Sequence, residues 1–499
     1  MQPLRDPDPA LFNADIAPTS PAERHWSVLN LASLWVGMVV CVPTYMLAGG
    51  LVGEGMSWWQ AVLTIALGNL IVLVPMVLNG HGGTKYGVPF PVLARAAFGI
   101  HGAHVPSVLR GLVACGWFGI QTWFGGFAIY QILNIATSGA LQGADLPVLG
   151  ISGGELGCFV LFWALQVALI VFGVESIRWL ETLAAPFLIG IGLALLAWAW
   201  FAVGGFGPML SAPSQFGPGG PREGQFFTVF FPSLTAMVGF WATLSLNIPD
   251  FTRYARSQRD QVLGQALGLP PTMALFAFIS VAVTSATVVV FGEAIPDPTV
   301  LAGKLGGGLT VAIALLALVV ATLTTNIAAN VVSPANALIN LAPGRVTFVT
   351  GGLITAALGL LAPWKLVEDT EGYIFTWLVG YSALLGPIGG ILVADYFVWR
   401  RTRLDLDALY HKHGPYWYAG GFNPAAMVAL LASVLPNLPG FLHQAGLLAD
   451  GYPGAGLFDA VYPYAWFVGF GLAAGLYLAL MAALAPTPAG RTAPATETR

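Results

Sequence analysis

Trp117 and Gln121 stand one helical turn apart in the uncharged stretch Gly116-Trp-Phe-Gly-Ile-Gln-Thr-Trp-Phe-Gly-Gly126. Residues at i and i+4 share a helix face, so an indole plane and an amide point the same way. In hydrocarbon an amide needs a partner, which directs the pair toward a protein interior or a watery cavity. A flat aromatic surface beside a donor and an acceptor suits a small planar heterocycle. A second polar group lies in Ala321-Thr-Leu-Thr-Thr-Asn-Ile-Ala-Ala-Asn-Val-Val-Ser-Pro-Ala-Asn336. Asn326 and Asn330 again share one face. Thr324, Thr325 and the carbonyl of Ala321 offer the oxygen ligands that small hard cations prefer. Taken singly, each Thr could instead bond back to its own helix, and Asn330 could serve to join helices. Their clustering points to a site.

The elements that must position these groups are membrane spans. Only 8% of the 499 residues are charged and 57% are hydrophobic, more apolar surface than a soluble chain can hide. Apolar runs of spanning length recur near 28–50, 57–79, 107–134, 150–173, 178–203, 226–247, 265–292, 309–335, 347–363, 372–397, 422–441 and 461–485, twelve in all. Of the 19 Lys and Arg, only Arg222, Lys304 and Lys365 fall in the loops of one side. Excess positive charge marks the cytoplasmic side, which places both termini there; the expected location is the inner (plasma) membrane. Residues 1–25 read as a polar cytoplasmic tail, 26–485 as one twelve-helix domain and 486–499 as a disordered tail. No apolar core precedes the first span, so no cleavable signal peptide is expected. Cys41, Cys115 and Cys158 lie in or beside spans without metal-ligand spacing, which points to neither a disulfide framework nor a zinc site.

Two spans carry helix breakers in corresponding places. The first reads Leu34-Trp-Val-Gly-Met-Val-Val-Cys-Val-Pro43, the sixth Val238-Gly-Phe-Trp-Ala-Thr-Leu-Ser-Leu-Asn-Ile-Pro249. Pro removes a backbone donor and disfavours helix just before it, so each span can break or kink there. Interrupted spans in matching positions of two halves mark the binding site of a transporter, and spans one and six are those that two five-helix repeats require. Gly and Pro are also common in membrane helices as packing residues. An unwound first span would offer the carbonyls of Gly37 and Val40 to a cation.

Together with Lys85-Tyr-Gly-Val-Pro-Phe-Pro-Val-Leu-Ala-Arg95, Trp241-Ala-Thr-Leu-Ser-Leu-Asn-Ile-Pro-Asp250 and Thr325-Asn-Ile-Ala-Ala-Asn-Val-Val-Ser-Pro334, these motifs resemble the nucleobase:cation symporter-1 family from about Trp26 to Arg403. Its members carry cytosine, uracil, allantoin, hydantoins and related rings. The resemblance implies an all-α integral membrane fold of twelve helices, LeuT-like, with an inverted five-plus-five repeat, broken helices one and six, and alternating access. Carried over by position, Trp117 and Trp241 would sandwich the substrate ring while Gln121 and Asn330 hydrogen-bond its amide edges. Gly37, Val40, Ala321, Thr324 and Thr325 would form the sodium site that some members use. Some relatives have an amide where this chain has Cys41, a weak donor and acceptor. Hydantoin-type members can have Gly where Phe240 adds an apolar wall. By analogy with the fold, Leu378, Val379 and Tyr381 of span ten form a thin gate over the ligand.

The resulting expectation is a symporter, active as a monomer, that imports a nucleobase-like heterocycle with Na⁺, the proton being the alternative cation. No organic cofactor and no nucleic-acid partner is expected. An intramembrane enzyme would need a metal pattern or paired carboxylates at membrane depth, and the spans contain neither. A sensor would need an output domain, and an amino-acid carrier of the same fold would not need the Trp pair. Elsewhere, Asp250, Arg253, Arg256 and Arg259 read as a solvated inner loop, with a gate or interhelical ion pair as the alternative. His81, His101 and His104 read as hydrated loop residues. The amphipathic run Leu404-Asp-Leu-Asp-Ala-Leu-Tyr-His-Lys-His413 reads as lying on the inner membrane surface.

Overall fold

The computed structural model describes residues 4–147, 149–172, 174–305, 308–361 and 370–484. Lys365 and the tail at 486–499 lie outside the described residues. Val28–Val39 (α1) and Val42–Gly53 (α2) are the halves of the first span, bent by 60° across Val40 and Cys41. Pro43 lacks an N–H and its ring crowds the residues before it, and Cys41 is extended, with φ −143° and ψ 164°. The Cys41 N–H bonds the Val39 carbonyl at 2.9 Å instead of continuing the ladder to Gly37, which leaves the Gly37 carbonyl to other partners.

Trp58–Tyr86 (α3), Phe90–Phe98 (α4), His104–Ala136 (α5), Gly153–Phe172 (α6) and Val174–Val203 (α7) follow. Phe206–Leu210 (α8) leads to Phe226–Asn247 (α9), Pro249–Thr252 (α10) and Gln258–Phe291 (α11). Pro298–Lys304 (α12), Gly308–Asn330 (α13), Val332–Leu341 (α14), Phe348–Gly359 (α15) and Thr370–Val393 (α16) come next. Pro424–Val434 (α17), Leu438–Gln444 (α18), Ala455–Val461 (α19) and Ala465–Leu484 (α20) complete the order.

Among the described residues, 10 helical stretches are long and apolar enough to cross a membrane, and the bent α1–α2 pair makes 11. The twelfth expected span, 347–363, is present as α15, an apolar helix of 12 residues that is too short to count alone. The centre of the bundle is formed where α1 packs on α11 and α13, α5 on α13, and α9 on α3 and α16.

In the sixth span the interruption comes at the proline and at the end of the helix, not in its middle. α9 runs unbroken through Gly239, and the interruption falls at Ile248, immediately before Pro249. Gly239 serves a different purpose here. A Cβ at that position would overlap Ser382 Oγ and approach the Leu378 carbonyl to 3.1 Å, so glycine is what lets α16 reach α9. Gly116 plays the same part on α5, where a Cβ would lie 2.6 Å from the Trp377 ring.

The N-terminal segment is laid across one end of the bundle. Thr19 donates to the Arg253 carbonyl at 2.8 Å, Asn13 to that of Pro343 at 2.7 Å, and the Asp8 N–H to that of Tyr410 at 3.0 Å. This packing corrects the reading of 404–413 as a membrane-surface segment. Leu409 and Tyr410 are buried in the protein: the Leu409 carbonyl accepts from Arg95 at 2.8 Å, and the Tyr410 hydroxyl donates to the Ile16 carbonyl at 2.6 Å.

Candidate functional site

The bend in the first span faces the polar stretch of α13. The Thr325 hydroxyl reaches the carbonyls of Gly37 and Met38, at 3.1 and 3.2 Å. The Thr324 hydroxyl bonds back to Ala321 O in its own helix at 2.8 Å. Val40 and Ala321 pack together with Leu188. The five residues named as cation ligands are thus gathered between α1 and α13, and their donor atoms are carbonyl and hydroxyl oxygens. That set fits a small hard cation, which the hydroxyl and carbonyl lone pairs would ligate in place of the hydroxyl–carbonyl bonds.

Cys41 occupies the hinge itself. Its thiol is buried, 3.2 Å from Thr44 Oγ1, and lies within reach of the Gln121 amide and the Thr325 hydroxyl. It therefore lies between the residues named for the cation and those named for the ring. Gln121 is 2% exposed, and its Oε1 is buried without a hydrogen-bond partner. The aromatic residues make one connected wall: Phe240 stands edge-on to Trp117 at 5.5 Å and to Trp241 at 4.8 Å. Trp241 is further fixed by Trp35, edge-on at 5.3 Å, and by a 3.3 Å contact of its indole N–H with Met273 Sδ. Phe240, read from the sequence as an added wall, is the ring that touches both indoles.

Asn330 is 5% exposed and donates to Asn326 Oδ1 at 2.9 Å. Asn326 in turn donates to the Phe118 carbonyl at 3.0 Å and to Gln166 Oε1. Sequence reading missed Gln166, although a lone amide among the apolar residues of α6 is a recognisable signal.

Above the aromatic wall, α16 supplies Leu378, Val379 and Tyr381, all buried, and the Tyr381 hydroxyl donates to the Gly239 carbonyl at 3.0 Å. A cavity of about 420 Å³ opens beyond them, lined by Met46, Gly50, Met237, Ile374 and Phe375 and by the Glu54–Arg222 ion pair (3.3 Å). Met237 and Ile374 each precede a site residue, Trp241 and Leu378, by one helical turn. The cavity therefore ends one turn above the ring residues.

Toward the opposite end the path is filled. Arg110 of α5 is fully buried; its Nε donates to Thr243 O at 2.8 Å and Asn247 Oδ1 at 3.0 Å, and its Nη2 to Ala329 O at 3.1 Å. Asn247 passes the contact to Asp250 at 3.3 Å, and Asp250 accepts the Phe90 N–H at 2.9 Å. The solvated-loop reading of this region holds only for Arg256 and Arg259, which are exposed. Asp250 and Arg253 are buried, and Arg253 donates to the Asp15 carbonyl at 2.9 Å. His81 and His104 are helical and partly buried, not loop residues: His81 meets the Tyr396 hydroxyl at 2.9 Å and His104 meets Asn340 at 3.1 Å, whereas His101 stays in the turn before α5, partly exposed, with Trp417 5.1 Å away.

Residues 18–469 match the family described as "Permease for cytosine/purines, uracil, thiamine, allantoin". The chain is 49% identical over 480 residues to a purine-uracil permease of Arabidopsis thaliana, covering 96% of this chain and 79% of that one. It is 39% identical over 474 residues to an allantoin permease of Bacillus subtilis, covering 94% and 93%. Its structure is similar to that of Mhp1, a nucleobase-cation-symport-1 family transporter solved closed with bromovinylhydantoin bound, with a TM-score of 0.77, 26% identity and 95% of each chain covered.

Proposed function

The chain belongs to the family of permeases for cytosine/purines, uracil, thiamine and allantoin, and on that premise we propose that it imports a nucleobase-like heterocycle together with Na⁺ by alternating access. The observation that carries this reading is the Thr325 hydroxyl set against the Gly37 and Met38 carbonyls at the bend of the first span, with Cys41 between it and Gln121. In this reading Gly37 O, Val40 O, Ala321 O, Thr324 Oγ1 and Thr325 Oγ1 hold the cation. Trp117, Phe240 and Trp241 supply aromatic surface to the ring, and Gln121, Asn330 and Cys41 supply its polar contacts. The named site groups are carbonyls, hydroxyls, amides and a thiol without a carboxylate, which favours Na⁺ over a proton.

A cation bound between α1 and α13 would hold these helices in the arrangement that also completes the ring site. The two ligands then strengthen one another reciprocally, because linkage acts equally in both directions. Leu378 and Val379 would close over the ring from the cavity side. Release at the other end requires the Arg110–Asn247–Asp250 contacts to part. The charge asymmetry of the loops supports both termini lying in the cytoplasm; in this reading residues 26–485 form the transport domain, in the plasma membrane, and the monomer is the working unit.

The test is tryptophan-fluorescence quenching of purified protein by uracil, cytosine, allantoin, hydantoin and purines, in Na⁺ and in choline buffer. Quenching that is tight only in Na⁺, and is lost in Trp117→Ala, supports both sites. Equal quenching in the two buffers would retain the ring site and reject the sodium site. Silence from every ring, in binding and in uptake, would reject the reading.

A further inference from the structure

The amides around Asn330 form a chain whose direction is fixed by a main-chain carbonyl. Phe118 O can only accept a hydrogen bond. It receives the Thr122 hydroxyl at 2.6 Å and Asn326 Nδ2 at 3.0 Å. The second Asn326 N–H goes to Gln166 Oε1, and Gln166 Nε2 donates to Thr122 Oγ1 at 3.0 Å, which closes a ring of directed bonds. Asn326, Gln166 and Thr122 are all essentially buried. Flipping the Asn326 amide would set its oxygen against Phe118 O and Gln166 Oε1, two acceptors without a proton between them, so its Oδ1 must point the other way. That oxygen receives Asn330 Nδ2 at 2.9 Å. Asn330 is therefore held with its NH₂ engaged, and no described residue donates to its carbonyl oxygen. Gln121 likewise presents a buried, unpartnered Oε1.

We infer that Asn326, locked by Gln166, Thr122 and the Phe118 carbonyl, is a positioning residue that turns the Asn330 carbonyl toward the substrate, so that the site selects rings presenting N–H donors at that edge. This rests on the proposed transport function and adds to it the hydrogen-bond polarity of the pocket. Two acceptors favour a ring that offers an N–H donor to each, as uracil does at N1 and N3. They disfavour a ring of the same shape whose nitrogen at that position is unprotonated, or carries a methyl group. An acceptor facing an acceptor in a buried site leaves both groups unpaired, a loss of roughly 10-fold or more in affinity.

Binding is measured by tryptophan quenching in Na⁺ with uracil, with 1-methyl- and 3-methyluracil, and with cytosine, whose N3 is an acceptor. The wild-type protein should bind uracil roughly 10-fold or more tightly than cytosine and than one of the two methyluracils. In Asn326→Leu, Asn330 is free to turn either end of its amide to the ring, and the uracil:cytosine ratio should fall toward unity. In Gln166→Leu, Asn326 keeps its bond to Phe118 O and the ratio should survive. A loss of packing alone would weaken all rings together and leave the ratio unchanged. Cytosine binding as tightly as uracil to the wild-type protein, or tolerance of both methyl groups, overturns the inference even if Asn326→Leu does not fold. An unchanged ratio in a folded Asn326→Leu protein overturns it too. Absence of quenching by every ring in the wild-type protein would instead remove the transport reading beneath it.

Discussion

The first and sixth spans carry the same two punctuating residues, a glycine after a valine and a proline further on, yet they fold differently. In the first, Pro43 lies close behind Gly37, the helix bends by 60° at Val40 and Cys41, and carbonyls are turned over to the side chains of α13. In the sixth, Pro249 lies beyond Asn247, α9 stays helical past Gly239, Phe240 and Trp241, and the interruption falls at its end. The difference teaches that a glycine in a membrane helix has two separate uses. It can accompany a break that exposes backbone, or it can admit a neighbouring helix, as Gly239 admits α16. One span thus supplies oxygens and the other a firm aromatic wall.

The largest expected effect is at the wall. Gly239→Ala should force α16 away from α9, because the obstruction includes the Leu378 main chain; a cost of about 1–3 kcal/mol should appear as a lower melting temperature, with ring binding lost in parallel. If the variant keeps wild-type stability and binding, the contact at Gly239 is not what the sixth span uses its glycine for. Next is the bend. Thr325→Val removes the hydroxyl that meets the freed carbonyls and should weaken Na⁺-stimulated ring binding roughly 10- to 100-fold, whereas Thr325→Ser should retain most of it; Na⁺ titrations of quenching decide.

The prolines sharpen the contrast further. Pro43→Ala should let α1 continue toward α2 and lower Na⁺ affinity several-fold. Pro249→Ala, lying beyond the wall, should leave Na⁺ affinity nearly unchanged. The reverse order in the same titrations would break the comparison. The smallest effect is expected at the cavity, where Glu54 and Arg222 are both substantially exposed. Glu54→Gln should change stability by no more than about 1 kcal/mol, with any change fading as salt is raised in thermal melts.

Much of the site was legible because its residues are polar or aromatic types at helical spacing inside apolar runs. Trp117 with Gln121, and Asn326 with Asn330, could be assigned to shared faces from spacing alone. What spacing could not show is which partner each face meets. Arg110 entered the sequence reading only as an inner positive charge, yet it is buried against Asn247, which relays to Asp250. His81, His104 and the 404–413 segment were misplaced for the same reason: residues between apolar runs look solvated until the chain that covers them is known. Residues 4–26 provide part of that cover through contacts with partners hundreds of positions away.

By itself, then, the sequence determined the solvent, the class of fold, the asymmetry of the loop charges and the residue types of both candidate sites. These depend on composition and on periodicity within a single helix. The tertiary structure decided what Gly239 is used for, that Phe240 joins the two indoles, and which end of the Asn330 amide is left free. Each of these depends on groups brought together from different helices. The direction of a hydrogen bond, or the use of a missing Cβ, exists only once its partner is in place.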